Sequence, residues 1–179
     1  MRMRLTLLVL PAFLVTACGY MLKVSSQHDP KTNFAALKTY KWLPKKDTAP
    51  GDPRVDNDVV KAKVKEAANE VLYEEGYSLT TDDKPDFLIA YHITTADIPG
   101  DDQIPNYWGY YPIWQGGIGF YTSPVEEGTI VIDIIDPKSM HMIWRGTGER
   151  QLVENDSPQD RIDRIERNVR KIMQQFPPK

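Results

Sequence analysis

The 179-residue chain carries 22 Lys and Arg against 25 Asp and Glu, a formal charge of −3, with 41% hydrophobic and 26% charged residues. Such proportions suit one domain that builds its own core, and they exclude the strongly basic face by which nucleic acid is gripped. A single cysteine excludes an internal disulfide framework and any cysteine-rich zinc site.

Arg2 and Arg4 make a short basic start, and residues 5–15 are apolar apart from Thr6 and Pro11. A bilayer-spanning helix needs about 20 apolar residues. A shorter run with a basic start and a small-residue site reads as a signal peptide over residues 1–17. The site, Val15-Thr16-Ala17-Cys18, resembles the lipobox of bacterial lipoproteins. That resemblance implies cleavage before Cys18, a diacylglyceryl thioether on its sulfur, and acylation of the new amino terminus by a fatty acid such as palmitate. The alternative is a plain signal peptide cut after Ala17, which leaves a free thiol. The only cysteine of the chain stands where a lipobox needs it. Each buried acyl CH₂ contributes about 0.8 kcal/mol, so two or three chains hold a protein to a membrane without crossing it. Loss of residues 1–17 removes Arg2 and Arg4 and leaves 20 basic against 25 acidic residues, a body with no general attraction to anionic lipid. In Gram-negative lipoproteins an Asp after the cysteine typically retains the protein at the inner membrane. By that analogy Gly19 implies the outer membrane, with the domain facing the periplasm.

Residues 18–20 form the anchor and a short linker, and residues 21–179 a single domain. A strand is expected from residues 21–24, so three linker residues give about 10 Å of reach. A second strand is expected over residues 38–42, ended by Pro44 and a Pro- and Asp-rich loop over residues 44–58. Asp56 or Asp58 is the candidate N-cap of a first helix whose apolar stripe is Val60, Val64, Ala67, Ala68, Val71 and Leu72, with Gly76 just past its end. Residues 87–93, apolar on both faces except at His92, suit a central strand. Residues 129–136 and 142–149 form a hairpin around Pro137-Lys138-Ser139. Ser157 as N-cap and Pro158 at the first position start a second helix with the stripe Ile162, Ile165, Val169, Ile172 and Phe176. The expected fold is α+β: an antiparallel sheet, two helices packed on one face, and a long Gly/aromatic loop between central strands.

With those elements in place the chain resembles a family of bacterial envelope lipoproteins known as domain of unknown function 4136. The matching pieces are Asp29-Pro30 with Phe34, Thr39-Tyr40-Lys41-Trp42, Gly76-Tyr77, Pro85-Asp86-Phe87-Leu88, Glu127-Gly128-Thr129-Ile130, Ile134-Ile135-Asp136, Trp144-Arg145-Gly146 and Phe176-Pro177-Pro178. The resemblance implies a fold and a location; the family has no established activity, hence no functional residues to carry over.

Residues 96–128 make a connection of unusual length. Tyr107, Trp108, Tyr110, Tyr111, Trp114, Phe120 and Tyr121 place seven of the chain's 18 aromatics within 15 residues, interleaved with Gly109, Gly116, Gly117 and Gly119. Such rings could stack on sugars, insert at a membrane interface or dock a protein. The plainer alternative is a loop folded back over the open sheet face as a local core. A hairpin centred on Pro137-Lys138-Ser139 pairs Asp133 with Arg145 and Ile134 with Trp144. The charged pair is either part of a polar site with Glu149 or His92, or a cross-strand ion pair on a partly exposed face.

His28, His92 and His141 are far apart, without HExxH or similar metal spacing, and no GxSxG elbow, P-loop or GxGxxG fingerprint occurs. The acid pairs Asp82-Asp83, Asp101-Asp102 and Glu126-Glu127 fall in expected turns. The expectation is a non-catalytic, membrane-anchored lipoprotein that binds or supports an envelope protein or glycan. No metal and no cofactor beyond the lipid on Cys18 is expected, and the contact surfaces are the aromatic loop and the exposed sheet face. The alternatives are an envelope hydrolase acting on glycan, peptide or lipid, and a small-ligand or lipid carrier.

Overall fold

The computed structural model describes residues 22–44, 55, 57–94, 127–151 and 157–179. Six strands form one sheet: β1 (Lys23–His28), β2 (Thr39–Trp42), β3 (Ser78–Leu79), β4 (Phe87–Thr94), β5 (Glu127–Ile135) and β6 (Met142–Gln151). Two α-helices, α1 (Asp58–Glu74) and α2 (Pro158–Met173), and a short 3-10 turn at Phe34–Ala36 complete the described fold. The strand order is β1-β6-β5-β4-β2-β3. The α+β class, the two helices on one face and the central place of β4 are as expected from sequence.

Pairing from β1 through β4 is antiparallel, whereas β2 runs parallel to both β3 and β4. The parallel step arises because α1 carries the chain from β2 back to the start of its neighbour β3, as a parallel pair requires. Strand β3 was not among the expected elements; its two residues are both exposed and carry no apolar pattern. Strand β1 begins at Lys23 and runs on to His28, a polar edge strand rather than a short apolar one.

All six expected stripe residues of α1 are buried. Its N-cap is Asn57, whose side-chain oxygen accepts a hydrogen bond from Val60 N at 3.0 Å. Asp58, one of the two expected caps, is instead the first helical residue, where its charge suits the positive end of the helix dipole. Gly76 takes φ +86° past the helix end, a backbone that residues with a Cβ rarely adopt. Ser157 caps α2 by accepting from Asp160 N at 3.1 Å, with Pro158 in the first turn. The helix ends at Met173, so Phe176 lies beyond it; the turn after Met173, followed by Pro177, breaks the helical spacing.

The main core lies between the helices and one sheet face. Val64, Ala68 and Leu72 of α1 and Val169 and Ile172 of α2 meet Ile89 of β4, Ile130, Ile132 and Ile134 of β5, and Trp144 of β6. Each large apolar side chain buried there contributes roughly 1.5–3 kcal/mol. Phe176 docks among Phe34, Tyr77, Phe87 and Trp144, with ring centroids 5.3–5.8 Å apart. The Trp144 indole lies over the backbone of Gly146: a Cβ there would come within 2.4 Å of the ring and 2.5 Å of Ile172. No helix among the described residues is long and apolar enough to cross a membrane.

Candidate functional site

Strand β5 alternates. Ile130, Ile132 and Ile134 face the helices, and Thr129, Val131, Asp133 and Ile135 face the other way. Register sets Gln27, Arg145, Asp133 and Ala90 in one row across four strands, and Ser25, Thr147, Val131 and His92 in the next. Lys23, Glu149, Thr129 and Thr94 form the third row, at the end of the sheet where β1 begins.

The expected register of the hairpin holds: Asp133 stands opposite Arg145 and Ile134 opposite Trp144. Arg145 grips Asp133 with two parallel bonds, Nε to Oδ1 at 2.7 Å and Nη2 to Oδ2 at 3.1 Å. The expected partial exposure is corrected by the structure. Asp133 and Arg145 are each 1% exposed, and Thr129, Val131, Ile135 and Thr147 around them are buried. This part of the second sheet face is therefore not an exposed contact surface. Ala90, directly opposite Asp133, has a side chain small enough to leave room for the guanidinium–carboxylate fork.

The pair is electrically neutral, and both carboxylate oxygens of Asp133 accept from Arg145. The planar guanidinium matches the carboxylate in geometry as well as in charge. Both residues have a further interaction beyond their mutual bonds. Glu149 does not join them: its Oε2 accepts from Lys23 Nζ at 3.1 Å, one row away from Thr147. His92 lies on the same face, half-buried, opposite Val131 and diagonal to Asp133, and has a partner of its own.

The other histidines are elsewhere. His28 packs edge-on against Phe34 at 5.9 Å, and His141 is exposed beside the β5–β6 turn. Among the described residues no group of three His, Cys, Asp or Glu could hold a metal ion. Asp82 and Asp83 are exposed, with Asp83 3.5 Å from the Lys41 ammonium. Glu127 belongs to β5 rather than to a turn. Cys18, Tyr107, Trp108, Tyr110, Tyr111, Trp114, Phe120, Tyr121, Asp101, Asp102 and Glu126 lie outside the described residues.

Two polar constellations were not singled out from sequence. Asp86 Oδ2 accepts from Lys38 N at 2.9 Å, Thr39 N at 2.8 Å and Thr39 Oγ1 at 3.0 Å. These backbone donors hold its carboxyl below the usual carboxylate range. Asn69 Oδ1 accepts from Tyr40 Oη at 2.9 Å and from Trp42 Nε1 at 3.0 Å, and the Lys65 ammonium sits 5.5 Å from the Trp42 ring. Burial pushes the Tyr40 phenol up to about 12. An Asp just before a strand and an Asn beside the apolar stripe of α1 are the signals that could have marked them.

Similarity to known proteins is confined to family and fold. No curated protein matches the chain. A PDZ domain protein from Parabacteroides distasonis ATCC 8503 is similar at TM-score 0.57 and 18% identity over 89% of this chain, which spans only 36% of that one. A PelC dodecamer from Paraburkholderia phytofirmans gives 0.47 and 10% over 86% of this chain and 96% of its own. A Xanthomonas campestris protein of family DUF330 gives 0.43 and 7% over 88% and 90%. The model of the family described as Domain of unknown function (DUF4136) matches residues 24–178, so the chain belongs to that family.

Proposed function

We propose that the protein is a non-catalytic lipoprotein of the bacterial envelope, anchored to the outer membrane through acylated Cys18, with its domain in the periplasm binding or supporting another envelope component. Residues 1–17 are then a cleaved signal peptide, and residues 21–179 the working domain. The observation that carries this reading is the run Val15-Thr16-Ala17-Cys18 with the chain's only cysteine at its end, and the register of the sheet is compatible with it. Lys23, five positions past Cys18, lies in one row with Glu149, Thr129 and Thr94. Thr94 and Glu127, the strand residues flanking the aromatic-rich residues 95–126, therefore lie at the end of the sheet where β1 begins. The binding of Asp133 by Arg145 favours a structural over a catalytic use of the most deeply buried acid among the described residues.

The test combines metabolic labelling with a clickable palmitate analogue and photo-crosslinking in cells from Tyr110 and Trp114. The wild type should take up label and fractionate with the outer membrane, while Cys18→Ala does neither. A specific adduct would identify the partner, whose co-purification with the protein should be lost on joint substitution of Tyr110, Tyr111 and Trp114. An unlabelled wild type would overturn the lipoprotein reading, and unchanged capture by the triple variant would remove the aromatic residues from the contact.

A further inference from the structure

The register also bears on how the domain would stand on its membrane, an inference that rests on the reading of Cys18 as the lipid anchor. Lys23 is five chain steps from Cys18, and fully extended chain spans at most about 3.3–3.6 Å per residue, so this leash is no longer than roughly 17–18 Å. Strand β5 has nine residues, and at about 3.4 Å per residue such a strand is roughly 30 Å long. The leash is shorter than the sheet is tall. It enters at the row of Lys23, Glu149 and Thr129, while the β5–β6 turn bearing Lys138 lies at the opposite end.

We propose that the sheet end where β1 begins, marked by exposed Lys23 and its partner Glu149, is apposed to the headgroup layer of a phospholipid bilayer, with the strands rising from it and the turn at Lys138 pointing away. Charge fits this orientation. The mature body is acidic, which opposes contact with lipid phosphates, but at this end the Glu149 carboxylate is neutralised by Lys23 Nζ at 3.1 Å. The Lys23 side chain is 75% exposed and free to meet phosphate as well. The acyl chains supply the attachment, and this end supplies only the orientation, so an unacylated body has no hold on lipid.

The test uses the full chain processed to its mature form in a lipoprotein-competent bacterium, with one added cysteine, Ser25→Cys on the exposed edge of β1 or Lys138→Cys, so that Lys23 is kept. Acylation consumes the Cys18 thiol, so the added cysteine alone takes an environment-sensitive fluorophore. Each labelled protein is reconstituted into phosphatidylethanolamine–phosphatidylglycerol vesicles containing headgroup spin-labelled lipid. Position 25 should be quenched strongly and position 138 little. Equal quenching at both positions, or stronger quenching at 138, overturns the orientation. Intact mass and vesicle flotation separate the two levels: an unacylated protein that fails to float overturns the anchor and the orientation together. An acylated, vesicle-bound protein with equal quenching overturns the orientation alone.

Discussion

Asp86 and Thr39 hold each other through main chain and side chain at once. Thr39 donates its N–H and its hydroxyl to Asp86 Oδ2, and Asp86 N donates back to Thr39 O at 3.0 Å. The clamp fixes the starts of β2 and β4 side by side, where the sheet changes from antiparallel to parallel pairing. Asp86→Ala should cost about 1–2 kcal/mol by orphaning the two backbone donors. Because the folded carboxyl is held low, its contribution is present above the unfolded carboxylate value and is lost as pH falls through the folded one. Urea unfolding of wild type and Asp86→Ala should differ most at neutral pH and converge in acid; a pH-independent difference would refute the charge contribution.

Gly146 is required by its neighbours rather than by its own backbone angles. A methyl group at this position meets the rigid Trp144 indole and Ile172 Cγ2, whereas at Gly148 the nearest atom is the terminal methyl of Ile172 at 2.7 Å. Gly146→Ala should therefore destabilise by about 2–3 kcal/mol and Gly148→Ala by less, since a side-chain end can move aside. Thermal unfolding of the two variants checks the order, and equal losses would contradict this account of the packing.

The same contacts explain how much could be read from sequence. The α1 stripe, the Ser157 cap, the Gly76 position and the Asp133–Arg145 register were legible because each depends on spacing within a few residues of one turn or helix. Asn57 was not, because Asp56, Asn57 and Asp58 are all competent caps and only tertiary packing chooses among them. Burial of the Asp133 face was not, because a strand's alternation says which residues share a face and nothing of what covers it. Most of the family-matching pieces in the described fold are structural. Thr39 and Asp86 form the clamp; Tyr77, Phe87, Trp144 and Phe176 share one aromatic cluster; Gly146 makes room for Trp144.

The buried ion pair should behave as a unit. Removing one partner leaves an uncompensated charge, so Asp133→Ala and Arg145→Met should each cost about 3–5 kcal/mol, whereas Asp133→Leu combined with Arg145→Met should recover most of that loss. Strong non-additivity in chemical denaturation is the expected outcome. Additive losses would mean that each side chain is held mainly by its other contacts. If the double variant folds as stably as the wild type, the pair serves to fix the hairpin register rather than to add stability.

Tyr40 gives a prediction at the alkaline end. Its phenol is buried against Phe87, with ring centroids 5.5 Å apart, and donates to Asn69. Burial disfavours the phenolate and raises the folded value to about 12, against about 10 for an unfolded tyrosine. Between those values the folded state keeps a proton that the unfolded state has lost. The stability linked to Tyr40 is therefore intact below about pH 10 and declines as pH rises toward 12. In ultraviolet titration of phenolate absorbance, the late transition that comes with unfolding should be smaller by one tyrosine in Tyr40→Phe than in wild type, while the ordinary transition is unchanged; burial raises Tyr77 as well, so only the difference isolates Tyr40. Asn69→Ala removes the acceptor shared by Tyr40 and Trp42 and should cost about 1–3 kcal/mol. If Tyr40 instead titrated near 10 in the folded protein, the phenol would be in contact with solvent, and the Asn69 variant should then cost little.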